Sequence, residues 1–212
     1  MPAPQPARGA KAALWASLAA GLLVLLAAFF EWVIIDLEPA LVFLPMHLLV
    51  APAILFVVTL WALRLALDVK RHGRAALQPL AVCVFAWALL ATIPWLRLWL
   101  AVDFRWHLAD RERIVEDIRR GVLVPNVDYN GALVALGRGY PHVSAGHNEV
   151  VLERHPEGPW VLFFTFRGVL NHYSGFLKVP EGCECDPETF SDLSNRRHQV
   201  VPYGNGWYWV AR

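Results

Sequence analysis

The sequence predicts an α+β membrane protein in which three transmembrane helices precede a connecting amphipathic helix and a small antiparallel-sheet domain. Three observations carry this. The chain of 212 residues is 57% hydrophobic and only 17% charged, too apolar for one ordinary globular domain. Its apolar residues gather into three long runs before Leu100. After Gly121 the pattern changes to short β-prone runs separated by Gly, Pro, Asn and Asp.

Residues 1–11 contain Pro2, Pro4, Pro6, Arg8 and Lys11, and predict a disordered tail. The first span covers residues 12–35. A signal peptide's apolar region is about 7–15 residues with small residues before the cleavage point. This run is longer and ends in Phe29, Phe30 and Glu31, so an uncleaved anchor is expected. Asp36-Leu37-Glu38-Pro39 breaks the helix. The second span covers residues 48–67, with Pro52 in its first turns and Arg64 able to snorkel toward headgroups.

The third span, residues 79–100, opens on Pro79, whose missing N–H has no intrahelical partner to lose. At 1.5 Å per residue it is about 33 Å long, enough for a hydrocarbon core of roughly 30 Å. Pro94 is expected to kink its last turns. Glu31 and Arg97 would lie at one level on two parallel spans. Trp95, Trp99 and Trp106 mark the same end, where amphipathic rings settle among headgroups. Lys and Arg flank the spans in the N-terminal tail and in the second loop (Lys70, Arg71, Arg74), while the first loop carries Asp36 and Glu38. The positive-inside rule then puts the N-terminus in the cytoplasm. The C-terminal domain falls outside, in the periplasm if this is the inner membrane of a Gram-negative bacterium.

Residues 103–121 form the connecting helix. Its charges surround an apolar stripe of Leu108, Ile114, Val115 and Ile118, and Gly121 supplies the left-handed terminator. Residues 122–212 make the exported α+β domain. Glu149–His155 and Trp160–Arg167 read as a hairpin. In its second strand Trp160, Leu162, Phe164 and Phe166 line one face, and Val161 and Phe163 make the other apolar too, which places it at the centre of the sheet. Further strands are expected at 174–179 and 207–211, the last entered by the turn Gly204-Asn205-Gly206. Asp186-Pro187-Glu188 predicts a short helix over 187–196. A helix followed by a short antiparallel meander resembles, in layout alone, the outer domain of pilin-like proteins, which have one N-terminal span.

Most chemistry-bearing patterns fall short. His142-Val143-Ser144-Ala145-Gly146 lacks the first glycine of a nucleophile elbow, and too little chain follows for the fold that elbow needs. His142, His147, His155, His172 and His198 have no metal-ligand spacing. Cys183 and Cys185 are at most half a zinc site and are expected as two free or bridged thiols. The net charge of +1 and the absence of a basic stripe argue against nucleic acid.

The binding group expected is Arg167, Asn171, His172 and Tyr173, where the apolar central strand gives way to polar groups. Guanidinium presents a fork of donors suited to a carboxylate or phosphate, and sheet-borne loops are where binding residues concentrate. No catalytic residue, metal or cofactor is assigned. The expectation is a non-enzymatic interaction or accessory domain held at the bilayer, with a protein or cell-wall partner. Alternatives are an immunity or inhibitor protein against an exported toxin, and a membrane-anchored enzyme using the Arg167–Ser174 loop.

Overall fold

The computed structural model describes residues 7–31, 44–168, 172–183, 185–190 and 199–212. The chain divides into two compact units, Met1–Ala101 and Val102–Arg212.

The first unit is helical. Helices α1 (Ala7–Phe29), α2 (Leu44–Leu67) and α3 (Leu77–Thr92) pack against one another. Their shared core is built largely from small side chains, Ala20, Ala51, Ala62, Cys83 and Ala86, with Val24 and Leu55. Small residues let helix backbones approach closely, the usual way apolar helices associate in lipid. A polar bond crosses this core: Trp87 Nε1 donates to Thr59 Oγ1 at 3.1 Å. Among the described residues three helical segments, Gly9–Phe29, Leu49–Leu67 and Arg74–Thr92, are long and apolar enough to cross a membrane, while Leu22, Phe56, Val57 and Phe85 face outward.

Two expectations change here. Part of the tail predicted as disordered is helix, since α1 begins at Ala7. The third helix does not run through Pro94 with a kink. It ends at Thr92, Ile93 is extended at φ −82° and ψ 127°, and a new helix, α4, runs from Trp95 to Arg119. The residue before proline is pushed out of the α region by the proline ring, and here that breaks the helix. Arg97 therefore belongs to α4, and the argument that set it level with Glu31 on parallel spans no longer applies. The connecting helix is correspondingly longer than 103–121 at its start, and Gly121, at φ 73°, follows its end.

The second unit is an antiparallel sheet of six strands: β1 (Leu133–Ala135), β2 (Glu149–His155), β3 (Gly158–Arg167), β4 (Tyr173–Lys178), β5 (Gln199–Gly204) and β6 (Trp207–Ala211). Their spatial order is β1-β2-β3-β4-β6-β5. The hairpin β2–β3, the centrality of β3 and the last strand are as the sequence predicts. Asn205 and Gly206 both have positive φ, 51° and 73°, which is the backbone of a two-residue turn matched to strand twist. Strands β1 and β5 were not foreseen. Of the helix expected over 187–196, a single 3-10 turn, Pro187–Thr189, is present, capped by Asp186 accepting from the Glu188 N–H. Phe190 is already non-helical, and 191–198 lie outside the described residues.

Each face of the sheet is covered. From Phe104 onward α4 lies over one face, where Phe104 meets Phe176, Tyr203 and Trp207 at centroid distances of 4.9–5.6 Å. On the other face Trp160, Leu162, Phe164, Leu177 and Val210 pack with Leu133, Val179 and Phe190. Trp160 is sandwiched there, stacking on His155 at 4.2 Å and on Phe190 at 6.4 Å. Cys183 and Cys185 bring their sulfurs into disulfide contact.

Candidate functional site

The site begins with a bulge. Simple alternation along β3 would put Arg167 on the face of Val161 and Phe163, under α4. Pairing with β4 instead shifts between Phe164 and Phe166, so that Phe166 lies opposite Ser174 and Arg167 opposite Tyr173. A bulge re-aims every side chain beyond it. Phe166 thus leaves the row that it was expected to share with Trp160, Leu162 and Phe164. Arg167 joins that row, with its guanidinium carbon 5.2 Å from the Phe164 ring centre. Thr165, buried at the bulge, hydrogen-bonds Ser174 side chain to side chain at 2.8 Å.

Arg167 then meets two residues that sequence reasoning had not attached to it. Its Nη1 donates to Glu149 Oε2 at 2.5 Å, and Tyr129 Oη donates to the same carboxylate at 2.8–2.9 Å. The Glu149 side chain is 9% exposed and that of Arg167 is 29% exposed. Burial alone would lower the Arg167 pKa, but the hydrogen bonds and charge of Glu149, with Tyr129 adding, outweigh it and hold the guanidinium firmly charged.

A rare backbone turn shapes the rim. Gly146, His147 and Asn148 follow one another with positive φ, 70°, 69° and 57°, a left-handed run that side chains with a Cβ resist. At Gly146 a Cβ would stand 2.8 Å from Arg167 Cδ, so a side chain there would have to displace Arg167 as well as hold a left-handed φ. Asn148 holds the turn: its Oδ1 accepts the N–H groups of Val143 and Ser144, and its Nδ2 donates to the Pro141 carbonyl. Ser144 is buried, donates to the Glu149 carbonyl and accepts the Phe164 N–H. Its hydroxyl is a pin between two strands.

Of the predicted group, Arg167 and His172 reach the surface at the β3–β4 end, where His172 Nδ1 faces the Arg212 carbonyl at 3.4 Å. Tyr173 is 5% exposed and sets its ring edge-on to Phe164, so it supports the site from within the core. Asn171 lies outside the described residues. Glu149 and Tyr129 were missed because their tie to Arg167 spans 18 and more residues of chain and depends on the bulge. The left-handed turn had a trace in the sequence, since Gly and Asn are the residues that tolerate it.

A second polar cluster lies beneath α4. Arg111, 1% exposed, donates to Asp103 Oδ2 at 2.7 Å and to the Val143 carbonyl at 3.1 Å, with its guanidinium 4.8 Å from the Phe176 ring centre. Lys178, equally buried, donates to Glu112 and Glu181 at 3.1 and 3.0 Å and to the Asn205 carbonyl at 2.6 Å, while Trp207 Nε1 donates to the same Glu112 oxygen. Among the described residues no three His, Cys, Asp or Glu gather as metal ligands.

The chain matches no protein-family model, no curated protein sequence and no solved structure.

Proposed function

We propose that the protein is a non-enzymatic interaction domain held at a membrane by three spans, and that it engages a protein or cell-wall partner through the β3–β4 end of its sheet, with Arg167 and His172 as contacts. We further propose the cytoplasmic N-terminus and periplasmic C-terminal unit of a bacterial inner-membrane protein, on the Lys and Arg distribution of the loops. The carrying observation is how the polar groups at this end are engaged. Ser144 is bonded twice to backbone, and the Glu149 carboxylate takes up Tyr129 and Arg167. A nucleophile or general base needs a free lone pair directed at substrate. These groups instead hold one another, and they fix a guanidinium edge in place for recognition beside the exposed His172.

Two measurements test this. Alkaline phosphatase fused after Arg212 should be active, and an active β-galactosidase fusion at that point would overturn the orientation. A photo-crosslinking amino acid at position 172 in whole cells should give one discrete adduct that weakens when Arg167→Lys is added. Equal adducts from position 172 and from exposed Arg120 would remove the site.

A further inference from the structure

Helix α4 has two working faces. At about 100° per residue, Phe104, Arg111, Ile114, Val115 and Ile118 fall on one side, and all are buried, from 0% to 7% exposed. Val102 and Trp106 fall on the opposite side and are 43% and 79% exposed. The same spacing continues back through Trp99 to Trp95, the first residue of the helix. Beyond Trp106 that side becomes Arg113, which stacks over Tyr140, and Asp117, which accepts the Tyr140 hydroxyl. The apolar stripe is therefore confined to the first three turns, about 18 Å of helix.

Leu98, Val102 and Trp106 are all exposed on the first three turns, and a contiguous apolar patch of this kind marks a contact surface. We propose that the Trp95–Trp106 stripe lies in the headgroup layer of the bilayer, with its indole rings at the boundary between lipid and water. Three features select lipid. The apolar segment Arg74–Thr92 ends two residues before the stripe begins, and the extended Ile93 with Pro94 lets the chain change direction there. Tryptophan prefers the interface, where its ring meets acyl carbon and its N–H meets carbonyl or water. Arg97 and Arg105, both exposed, flank the stripe with charges that suit anionic phosphates.

This inference rests on reading the three apolar helices as spans, and the test separates the two. The full-length protein carrying Cys83→Ala, Cys183→Ser and Cys185→Ser is reconstituted in phosphatidylethanolamine–phosphatidylglycerol vesicles. A nitroxide is placed at Val102→Cys, Trp106→Cys, Phe56→Cys or Arg120→Cys. Collision with oxygen, relative to a water-soluble nickel chelate, should be highest at 56, several-fold above the Arg120 value at 102 and 106, and lowest at 120. Water-like ratios at 56 would overturn the spans. Deep ratios at 56 with water-like ratios at 102 and 106 would overturn the stripe alone. Strong dipolar coupling between labels at 106 of two molecules would assign the stripe to a second copy and also overturn the proposal. Should the cysteine-free background unfold, brominated lipids must quench the wild type more than Trp106→Phe, and equal quenching counts against lipid contact.

Discussion

The two faces of the sheet handle charge in opposite ways. Under α4, Arg111 and Lys178 are sunk to 1% exposure and lie over aromatic rings, Arg111 over Phe176 and Lys178 over Trp207. On the other face the cluster of Trp160, Leu162, Phe164, Leu177 and Val210 is apolar, and Arg167 stands at its rim with 29% of its side chain in solvent, paired with the Glu149 carboxylate at 9%. A fully buried charge is held by its partners or not at all, because water cannot replace a lost one. At the rim water can. The comparison teaches that the α4 face holds its cations through protein partners alone, whereas at the rim the guanidinium shares its charge between Glu149 and water.

That contrast sets the order of effects in full-length protein in detergent, followed by thermal or chemical melting. Arg111→Met should be the most damaging, at about 3–5 kcal/mol, because it strands Asp103 and the Val143 carbonyl. Lys178→Met should cost about 1–3 kcal/mol, since it abandons the Asn205 carbonyl but leaves Glu181, 67% exposed, to water. A larger loss at Lys178 than at Arg111 would break the ranking. At the rim Arg167→Lys should cost about 1 kcal/mol, and a double-mutant cycle with Glu149→Gln should show coupling of about 0.5–3 kcal/mol. Zero coupling would mean that the ion pair contributes nothing.

The smallest effect is a pH dependence on the α4 side. His107 has its pKa lowered from 6.5, chiefly by burial, against the raising pull of Asp103 and Asp110 and with further lowering from Arg111 and His142. Its Nδ1 finds no hydrogen-bond partner among the described residues. The folded state thus favours the neutral ring while the unfolded chain takes a proton near its ordinary value. Stability is full above about pH 6.5 and is lost as pH falls from there through the folded pKa. His107→Gln should flatten that limb of the stability profile, and an unchanged slope would assign it to another group.

How much of this was legible follows from the range of the interactions. Local patterns were readable: the two-sided apolar run of β3, the Asn205-Gly206 turn and the apolar stripe of α4 each depend on neighbours a few residues apart. Pro94 was visible, but whether it kinks or breaks a helix depends on what the next segment packs against. Arg111 and Lys178 look like surface charges because their partners lie 32 and 66 residues away, at Val143 and Glu112. Arg167 was found as a candidate from the end of the apolar strand. Its pairing with Glu149 escaped, since one bulge at Thr165 decides which face it meets.

Strand β5 has a consequence of another kind. It forms one edge of the sheet, it is exposed along most of its length, and an open edge invites further strands from neighbouring molecules. Pro202 offers no N–H, and the register slips between Pro202 and Gly204. An incoming strand would find the ladder interrupted at its middle. That interruption is a safeguard against edge-to-edge pairing between copies. Replacing Pro202 with a β-branched residue would remove that safeguard.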